Sequence, residues 1–180
     1  MKILKGILFF LVVLIILFLA VALFLPSTSH VERSITINLP ADSIYALVVD
    51  YNYYQDWNPW SKMEPTAKGE ISGPVGQAGQ KWSWEGEIIG SGSLTTEKII
   101  PGEYIESKLE FTAPQAMQSK DIWKFESTQA GSKITWINEA ELGYPVERYF
   151  GLFMDNMLGG EFESGLVNLK MLAENKYQTN

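Results

Sequence analysis

The chain opens with an unbroken apolar run and then changes to shorter segments in which apolar and polar residues alternate. The twenty residues from Gly6 to Leu25 carry no charged or polar side chain. At a helical rise of about 1.5 Å per residue they span roughly 30 Å, the hydrocarbon thickness of a bilayer. A cleaved signal peptide is the alternative, with small residues at Ala20 and Ala22, or at Ser27 and Ser29, as the cleavage site, but its apolar region is usually only about 7–15 residues long. The length therefore favours a retained transmembrane signal anchor over residues 1–25, followed by a juxtamembrane link over residues 26–30.

The basic residues around this run predict its orientation. Lys2 and Lys5 precede it, whereas the first basic residue after it is Arg33. The positive-inside rule places the N-terminus in the cytoplasm and the rest of the chain outside it. We therefore expect a single-pass membrane protein whose main domain, residues 31–180, lies in the periplasm or at the cell surface.

Beyond the link, the first elements are a strand and two helices. Residues 31–40 alternate and are rich in β-branched side chains, which predicts a strand. Pro40 and Ala41 open a helix for which Asn38 is the candidate cap. A second short helix over Tyr51–Trp57 is predicted to stop before Pro59.

The remainder predicts a meander of strands followed by a long helix. Segments with a period of two residues lie at about 67–72, 80–89, 93–100, 103–111, 120–127 and 132–141. Short links between successive strands are typical of antiparallel pairing. Apolar residues then recur at helical spacing from Val146 to Ala173, with Gly159-Gly160 predicted as a kink or break. The predicted fold class is α+β: a curved antiparallel sheet of about six or seven strands wrapped on one long C-terminal helix.

Three stretches of this chain resemble a known superfamily. They are VERSITINLPADSIYALVVDYNYYQDWNPWSKM, KWSWEGEIIGSGSLTTEKIIPGEYI and GYPVERYFGLFMDNMLGGEFESGLVNLKMLAE. Together with the order of elements, they are similar to the START-like (SRPBCC) superfamily with the helix-grip fold, and within it to membrane-anchored, polyketide cyclase-like bacterial proteins. The resemblance covers residues 31–175 and implies the fold. It leaves the function open, because the superfamily includes lipid carriers, hormone receptors and cyclases.

Composition excludes several kinds of chemistry. The chain has no cysteine, and His30 is its only histidine, which excludes a zinc site and a Ser-His or Cys-His nucleophile. Apart from Lys2 and Lys5, the chain has 12 basic and 21 acidic residues, which gives a net charge of −9. The basic residues form no cluster, so nucleic acid is not an expected partner. No cofactor or metal is predicted. Acid–base roles for Asp50, Asp56 or Glu110 stay open, although no paired spacing singles one out.

Aromatic residues carry the stronger signal. Nineteen of them lie outside the anchor, and period-two alternation places several on one face of the sheet. The inward polar residues Ser107 and Asn138 are either satisfied core groups or groups that orient a ligand. The predicted lining of an apolar pocket is Trp57, Trp60, Trp82, Trp84, Ser107, Trp123, Trp136, Asn138, Tyr149, Phe150 and Phe153. Any single ring fits an ordinary aromatic core equally well, and Trp57 and Trp60 fit a packed corner.

Methionines and a long loop add to this picture. Met117 lies in the loop TAPQAMQS, residues 112–119, which is a candidate lid. Met154 and Met157 would add adaptable apolar surface to the long helix.

These observations lead to one main hypothesis and two alternatives. The main hypothesis is a membrane-tethered domain that binds a hydrophobic small molecule or lipid between its sheet and C-terminal helix. The first alternative is a cyclase or dehydratase acting on a polyketide-like substrate, as the resemblance implies. The second is an envelope-stress or protein-interaction module whose pocket is filled by its own side chains.

Overall fold

The N-terminal apolar run forms a single helix, α1 (Lys2–Ala22), in the computed structural model, which describes residues 2–177. The side chains of α1 are exposed along nearly its whole length, and only Ala22 is buried. The helix is long and apolar enough to cross a membrane. Residues 178–180 of the predicted domain lie outside the described residues.

Seven strands form one antiparallel sheet, as the alternation predicted. They are β1 (Thr28–Ile37), β2 (Lys68–Ser72), β3 (Lys81–Glu85), β4 (Ser91–Ile100), β5 (Tyr104–Ala113), β6 (Met117–Thr128) and β7 (Gly131–Glu141). Their order across the sheet is β1-β7-β6-β5-β4-β3-β2. Strands β2 to β7 pair in chain order, and β1 closes the far edge against β7, so the α+β helix-grip prediction is confirmed.

Short helical segments link β1 to β2. They are α2 (Ala41–Val49), a 3-10 turn (Tyr51–Tyr53), α3 (Tyr54–Trp57) and α4 (Pro59–Met63). Two details differ from the prediction: Pro40 and not Asn38 occupies the cap of α2, and Pro59 begins a further helix instead of only ending one. Asn58 caps α4 because its side-chain oxygen accepts a hydrogen bond from the Trp60 amide at 3.0 Å.

The C-terminal helical region breaks at a different place from the one predicted. Helix α5 (Val146–Gly151) ends before Leu152, and α6 (Met154–Tyr177) runs through Gly159 and Gly160 without interruption. Gly159 has a packing reason: a Cβ there would lie 2.0 Å from Nη2 of Arg33 on β1. The Arg33 guanidinium lies across the helix at this point and donates hydrogen bonds to Asp155 and Glu163.

Helix α6 packs on the concave face of the sheet. Its buried residues Phe162, Leu166 and Leu169 join the core with residues of α2 and the strands. Gly165 marks a close approach of helix and sheet, because a Cβ there would lie 2.7 Å from Trp136 Cζ3. The core is therefore built where the two layers touch.

Strand pairing defines the end of the sheet nearest α1, which we call the α1 end. Thr28 begins β1 and pairs with Glu141 at the end of β7. The β3–β4 turn over residues 86–90 and the β5–β6 turn over residues 114–116 lie at this same end. Both turns differ from the prediction, since the strand over 80–89 ends at Glu85 and the long loop over 112–119 is a three-residue turn.

Candidate functional site

A cavity of about 350 Å³ lies between the concave face of the sheet and the N-terminal half of α6. Its walls come from α3, α4, five strands, the β3–β4 turn and α6. Most of the lining is aromatic or aliphatic, and the polar side chains in it are Asn58, Ser119, Asp121 and Asn138, with Tyr54 contributing a phenol. Such a lining, apolar with few polar groups, is typical of small-molecule sites.

Alternation along the strands explains why tryptophans dominate one wall. Trp82 and Trp84 are two residues apart on β3 and therefore point to the same face. Their rings stack with centroids 4.6 Å apart, and Phe111 of β5 meets Trp84 edge-on at 5.5 Å. The opposite wall contains Trp136, whose ring stacks on Phe162 of α6 at 4.1 Å. Each side of the cavity is thus a rigid aromatic surface.

The structure brings together part of the predicted pocket lining. The residues that line the cavity are Trp60, Trp82, Trp84, Trp136 and Asn138. Met117, Met154 and Met157 also line it, although Met117 belongs to β6 and not to a lid loop.

Three other predicted residues lie in the core and not in the lining. Trp57 is fully buried and donates its indole N–H to the Leu47 carbonyl at 3.2 Å. Trp123 stacks on Trp136 at 4.5 Å, on the side away from the cavity lining. Ser107 is buried, with its hydroxyl 3.1 Å from that of Tyr51. Trp57 is therefore part of a packed corner, while its neighbour Trp60 reaches the cavity.

The last three predicted residues lie outside the cavity altogether. Tyr149, Phe150 and Phe153 were expected on the inward face of one long helix. Because α5 is a separate helix, Tyr149 instead stacks on Phe18 of α1 at 4.5 Å, and Phe150 and Phe153 are exposed. The helical residues of this region that line the cavity follow the break, beginning with Met154.

The cavity contains one buried carboxylate, Asp121, which the sequence reasoning missed. Its two oxygens accept hydrogen bonds from the indole N–H groups of Trp123, at 2.8 Å, and Trp136. Burial raises the pKa of Asp121 to about 6, against the opposing effect of these two hydrogen bonds. A signal was present, because Asp121 alternates with Trp123 and Phe125 and therefore shares their inward face.

Asp121 belongs to a row of polar side chains that crosses the sheet. Asn138, Asp121, Ser107 and Thr96 are successive cross-strand partners on β7, β6, β5 and β4. The Tyr51 hydroxyl joins the far end of the row, accepting from Thr96 at 2.8 Å. We call these four strand residues the polar row. At its near end, Asn138 donates to Ser119 at 2.9 Å, so both ends of the row are hydrogen-bonded within the protein.

One amide group beside the cavity has spare hydrogen-bonding capacity. Asn58 is fully buried, and its Nδ2 has no hydrogen-bond partner among residues 2–177. A buried donor without a partner is costly unless a bound molecule supplies an acceptor. Asn58 is therefore a candidate contact for a ligand oxygen.

Glu64 holds the turn that forms one rim of the cavity. Its carboxylate accepts hydrogen bonds from the backbone N–H groups of Glu87, Ile88 and Ile89 at 2.8–3.0 Å. These hydrogen bonds, that from Ile89 first, hold the pKa of Glu64 below its ordinary value. Ile88 and Ile89 line the cavity, so Glu64 positions them.

The other candidate acids and the histidine lie away from the cavity. Asp50 accepts from the Asn52 amide, and Glu110 pairs with Lys108 at 2.7 Å. Asp56 is exposed, and His30 lies on β1 beside Glu139. Within residues 2–177, no group of three or more histidine or acidic side chains could hold a metal ion.

Comparison with known proteins agrees with this architecture. Solved structures that resemble the chain include a protein of unknown function, SA2116, from Staphylococcus aureus, with 14% identity, coverage of 84% of this chain and 96% of that one, and a TM-score of 0.64. Another is the di-domain ARO/CYC StfQ from the steffimycin biosynthetic pathway, with 14% identity, coverage of 83% of this chain and 51% of that one, and a TM-score of 0.63. A third is protein CV1439 from Chromobacterium violaceum, with 15% identity, coverage of 83% and 98%, and a TM-score of 0.59. At these identities the likeness is one of fold.

No curated protein matches the chain. Residues 28–174, however, match the family described as polyketide cyclase / dehydrase and lipid transport. That match spans the whole sheet, the cavity and nearly all of α6. The chain belongs to this family, within the SRPBCC superfamily.

Proposed function

We propose that this protein is a membrane-tethered START-like domain that holds a hydrophobic small molecule or lipid in the cavity between its sheet and α6. The observation that carries the proposal is the cavity itself. At about 350 Å³ it falls at the lower end of the usual range for ligand sites, roughly 300–1,000 Å³. Burial of apolar ligand surface against the tryptophan walls would supply the binding free energy.

The few polar groups in the lining would fix the orientation of the ligand. Asp121 and Asn138 lie side by side on β6 and β7, and Asn58 offers an unpaired N–H on the helix side. A ligand with one polar end, a hydroxyl or a carbonyl, could pair with these groups while its apolar body fills the remaining space. The family description, which includes lipid transport, supports this class of ligand.

The tether in this proposal is α1, and the domain lies on the extracytoplasmic side. Lys2 and Lys5 precede the apolar run, and a net charge of −9 follows it. An acidic domain is repelled by anionic headgroups, so an anchor is what would keep it near a bilayer.

Mass spectrometry of bound ligand tests this function. The full chain would be purified in detergent and extracted with organic solvent, beside two variants. Leu109→Trp puts a large ring into the cavity wall, whereas Val167→Trp adds the same ring on the exposed face of α6. We expect a hydrophobic compound with the wild type and with Val167→Trp, and its loss from Leu109→Trp. A wild-type protein that carries nothing and binds no lipid or polyaromatic compound from a panel would refute the proposal.

A second function, catalysis, is favoured by one specific observation. Asp121 lines the cavity with its pKa raised to about 6, close to the value at which a carboxyl group can both accept and donate a proton near neutral pH. Asp121 could thus move a proton to or from a carbonyl compound, the kind of step that a cyclase or dehydratase requires. If Asp121→Asn keeps its bound ligand and all of its turnover, this role is wrong.

The third hypothesis, a module with a filled pocket, fits less well. An open cavity with an unpaired buried donor in its wall is the opposite of a pocket closed by its own side chains.

A further inference from the structure

The C-terminal end of α1 is held by residues of α5 and the link before it. The Tyr144 hydroxyl donates to the Leu19 carbonyl at 2.8 Å, and Arg148 donates to the Ala22 carbonyl at 3.1 Å. The carbonyls of the two residues between them accept from the Leu23 and Phe24 amides. All four terminal carbonyls of α1 are therefore satisfied without water, which is what a helix end inside an apolar layer requires.

The depth of α5 follows from these contacts. The Tyr149 hydroxyl donates to the Phe18 carbonyl at 2.7 Å, about one helical turn, or 5.4 Å, inside the end of α1. If the run from Gly6 to Leu25 fills the hydrocarbon layer, α5 must lie at the level where that layer meets the headgroups. Tyrosine and arginine at such a level are typical of membrane proteins.

The surface that α5 and residues 152–153 present to their surroundings is mostly apolar; its one acidic side chain, Glu147, accepts a hydrogen bond from the Gly143 amide at 2.6 Å. Phe150 and Phe153 are 58% and 56% exposed, and Val146 and Leu152 are each more than half exposed. Met157, on the first turn of α6, is 62% exposed and lines the cavity. Exposed apolar side chains in such a group are characteristic of an interaction surface.

The cavity opens towards the same end of the domain. Ile88 is 75% exposed and lies in the β3–β4 turn, and Met117 lies beside the β5–β6 turn. Both line the cavity, and both turns belong to the α1 end of the sheet. The rim of the cavity is thus formed by Met157, Ile88 and Met117 on the side from which α1 leaves the domain.

We propose that this end of the domain is a membrane-docking surface: α5 and Leu152–Phe153 lie in the interfacial layer of the bilayer, and the cavity mouth rests on the membrane. The inference rests on the proposed function, because it takes α1 as a membrane anchor. A ligand dissolved in the bilayer then reaches the cavity without crossing water. The docking would depend on apolar contacts and not on charge. The domain is acidic, and Glu85 and Glu141 lie at neighbouring strand ends, so anionic headgroups would repel it and a zwitterionic membrane surface suits it.

Site-specific depth measurement tests the inference, and the absence of native cysteine makes it simple. Single cysteines would be placed in the full chain by Phe150→Cys, Phe153→Cys and Ile88→Cys and labelled with the fluorophore NBD. Ile15→Cys reports on the anchor, and Val75→Cys is the matched control in the β2–β3 link at the other end of the sheet. All of these positions are more than half exposed, so labels leave the core intact.

The labelled proteins would be reconstituted into phosphatidylcholine vesicles that contain lipids with a nitroxide quencher at a shallow or a deep acyl position. We expect strong quenching at position 15 by the deep quencher, quenching at 88, 150 and 153 by the shallow quencher, and none at 75. Labels at 88, 150 or 153 that stay as bright as the label at 75, with position 15 quenched, would overturn the inference and leave the anchor in place. A label at 15 that escapes both quenchers would remove the anchor, and the inference with it. Ligand extraction remains the separate test of the cavity.

Discussion

Replacing Asp121 with asparagine would show how much stability the buried carboxylate costs at neutral pH. Burial raises its pKa, so the folded protein binds this proton more tightly than the unfolded chain does. Stability from this group is therefore greatest when the carboxyl is protonated and falls as the pH rises. A change from the ordinary 3.8 to about 6 corresponds to about 3 kcal/mol, lost between about pH 4 and pH 6 and still absent at pH 7.5.

Asparagine removes that titration but also removes one acceptor. Asp121 accepts from two indole N–H groups, one on each oxygen, whereas an asparagine side chain has a single oxygen. One indole donor is then left unpaired, at a cost of about 1–3 kcal/mol at every pH. We therefore expect Asp121→Asn to be less stable than wild type at pH 4 and of similar or greater stability at pH 7.5.

Urea unfolding of the full chain in detergent, followed by tryptophan fluorescence from pH 4 to pH 7.5, measures this difference. The stability gap between the two proteins should change by about 3 kcal/mol across the range. Trp123→Phe is a useful companion, because losing one donor to the carboxylate should move the midpoint of the wild-type pH dependence upwards. A gap that stays constant with pH would refute the claim that this carboxylate is desolvated.

Other substitutions test the packing and the rim of the cavity. Gly165→Ala should destabilise the domain by about 1–3 kcal/mol, because the added methyl group would press on Trp136 of the sheet. Gly160→Ala has nothing within 4 Å of the added carbon and should stabilise the domain by up to about 1 kcal/mol in the same urea assay. Equal effects of the two substitutions would contradict the close approach of α6 to the sheet at Gly165. Glu64→Gln should speed amide hydrogen exchange in the turn over residues 86–90. In the wild type the turn should loosen only at acidic pH, as the pH falls below the ordinary pKa of a glutamate towards the lowered pKa of Glu64. Unchanged exchange in the variant would show that the carboxylate does not hold the turn. Tyr51→Phe should cost about 1–3 kcal/mol because two buried hydroxyls lose their shared partner, and a cost near zero would mean that water replaces it.

Alternation was enough to predict the sheet and the strand tryptophans on both walls of the cavity. Trp82, Trp84, Trp136 and Asn138 face inwards because side chains two residues apart share a face, and each of them lines the cavity. The same rule applied to β6 would have found Asp121. Buried carboxylates are rare in general, which argued against an inward Asp121. Its burial is tolerated because the indole N–H groups of Trp123 and Trp136, which lie beside it in the sheet, donate to its two oxygens.

Helical spacing was less informative, because it does not reveal where one helix ends and another begins. The apolar positions on either side of Leu152–Phe153 fit a single helix, yet the chain turns there and α5 packs on α1. The sequence suggested a break at Gly159-Gly160. Gly159 is instead a glycine because the Arg33 side chain lies across the helix there, and local sequence spacing cannot reveal that contact. Contacts of this kind join residues more than a hundred positions apart.

The polar row separates the part of the interior that stabilises the fold from the part that lines the cavity. On the side away from α1, β5 to β7 contribute Ile105, Phe125 and Ile134, which belong to the same buried core as the inward side chains of α2. On the other side, Leu109, Phe111 and Met117 line the cavity. Substitutions in the cavity lining can alter which ligand binds at little cost to folding stability, because the buried core and the hydrogen-bonded polar row stay unchanged. The border between the two parts falls along a single line of cross-strand neighbours, and among the strand residues that line the cavity only Trp136 lies beyond it.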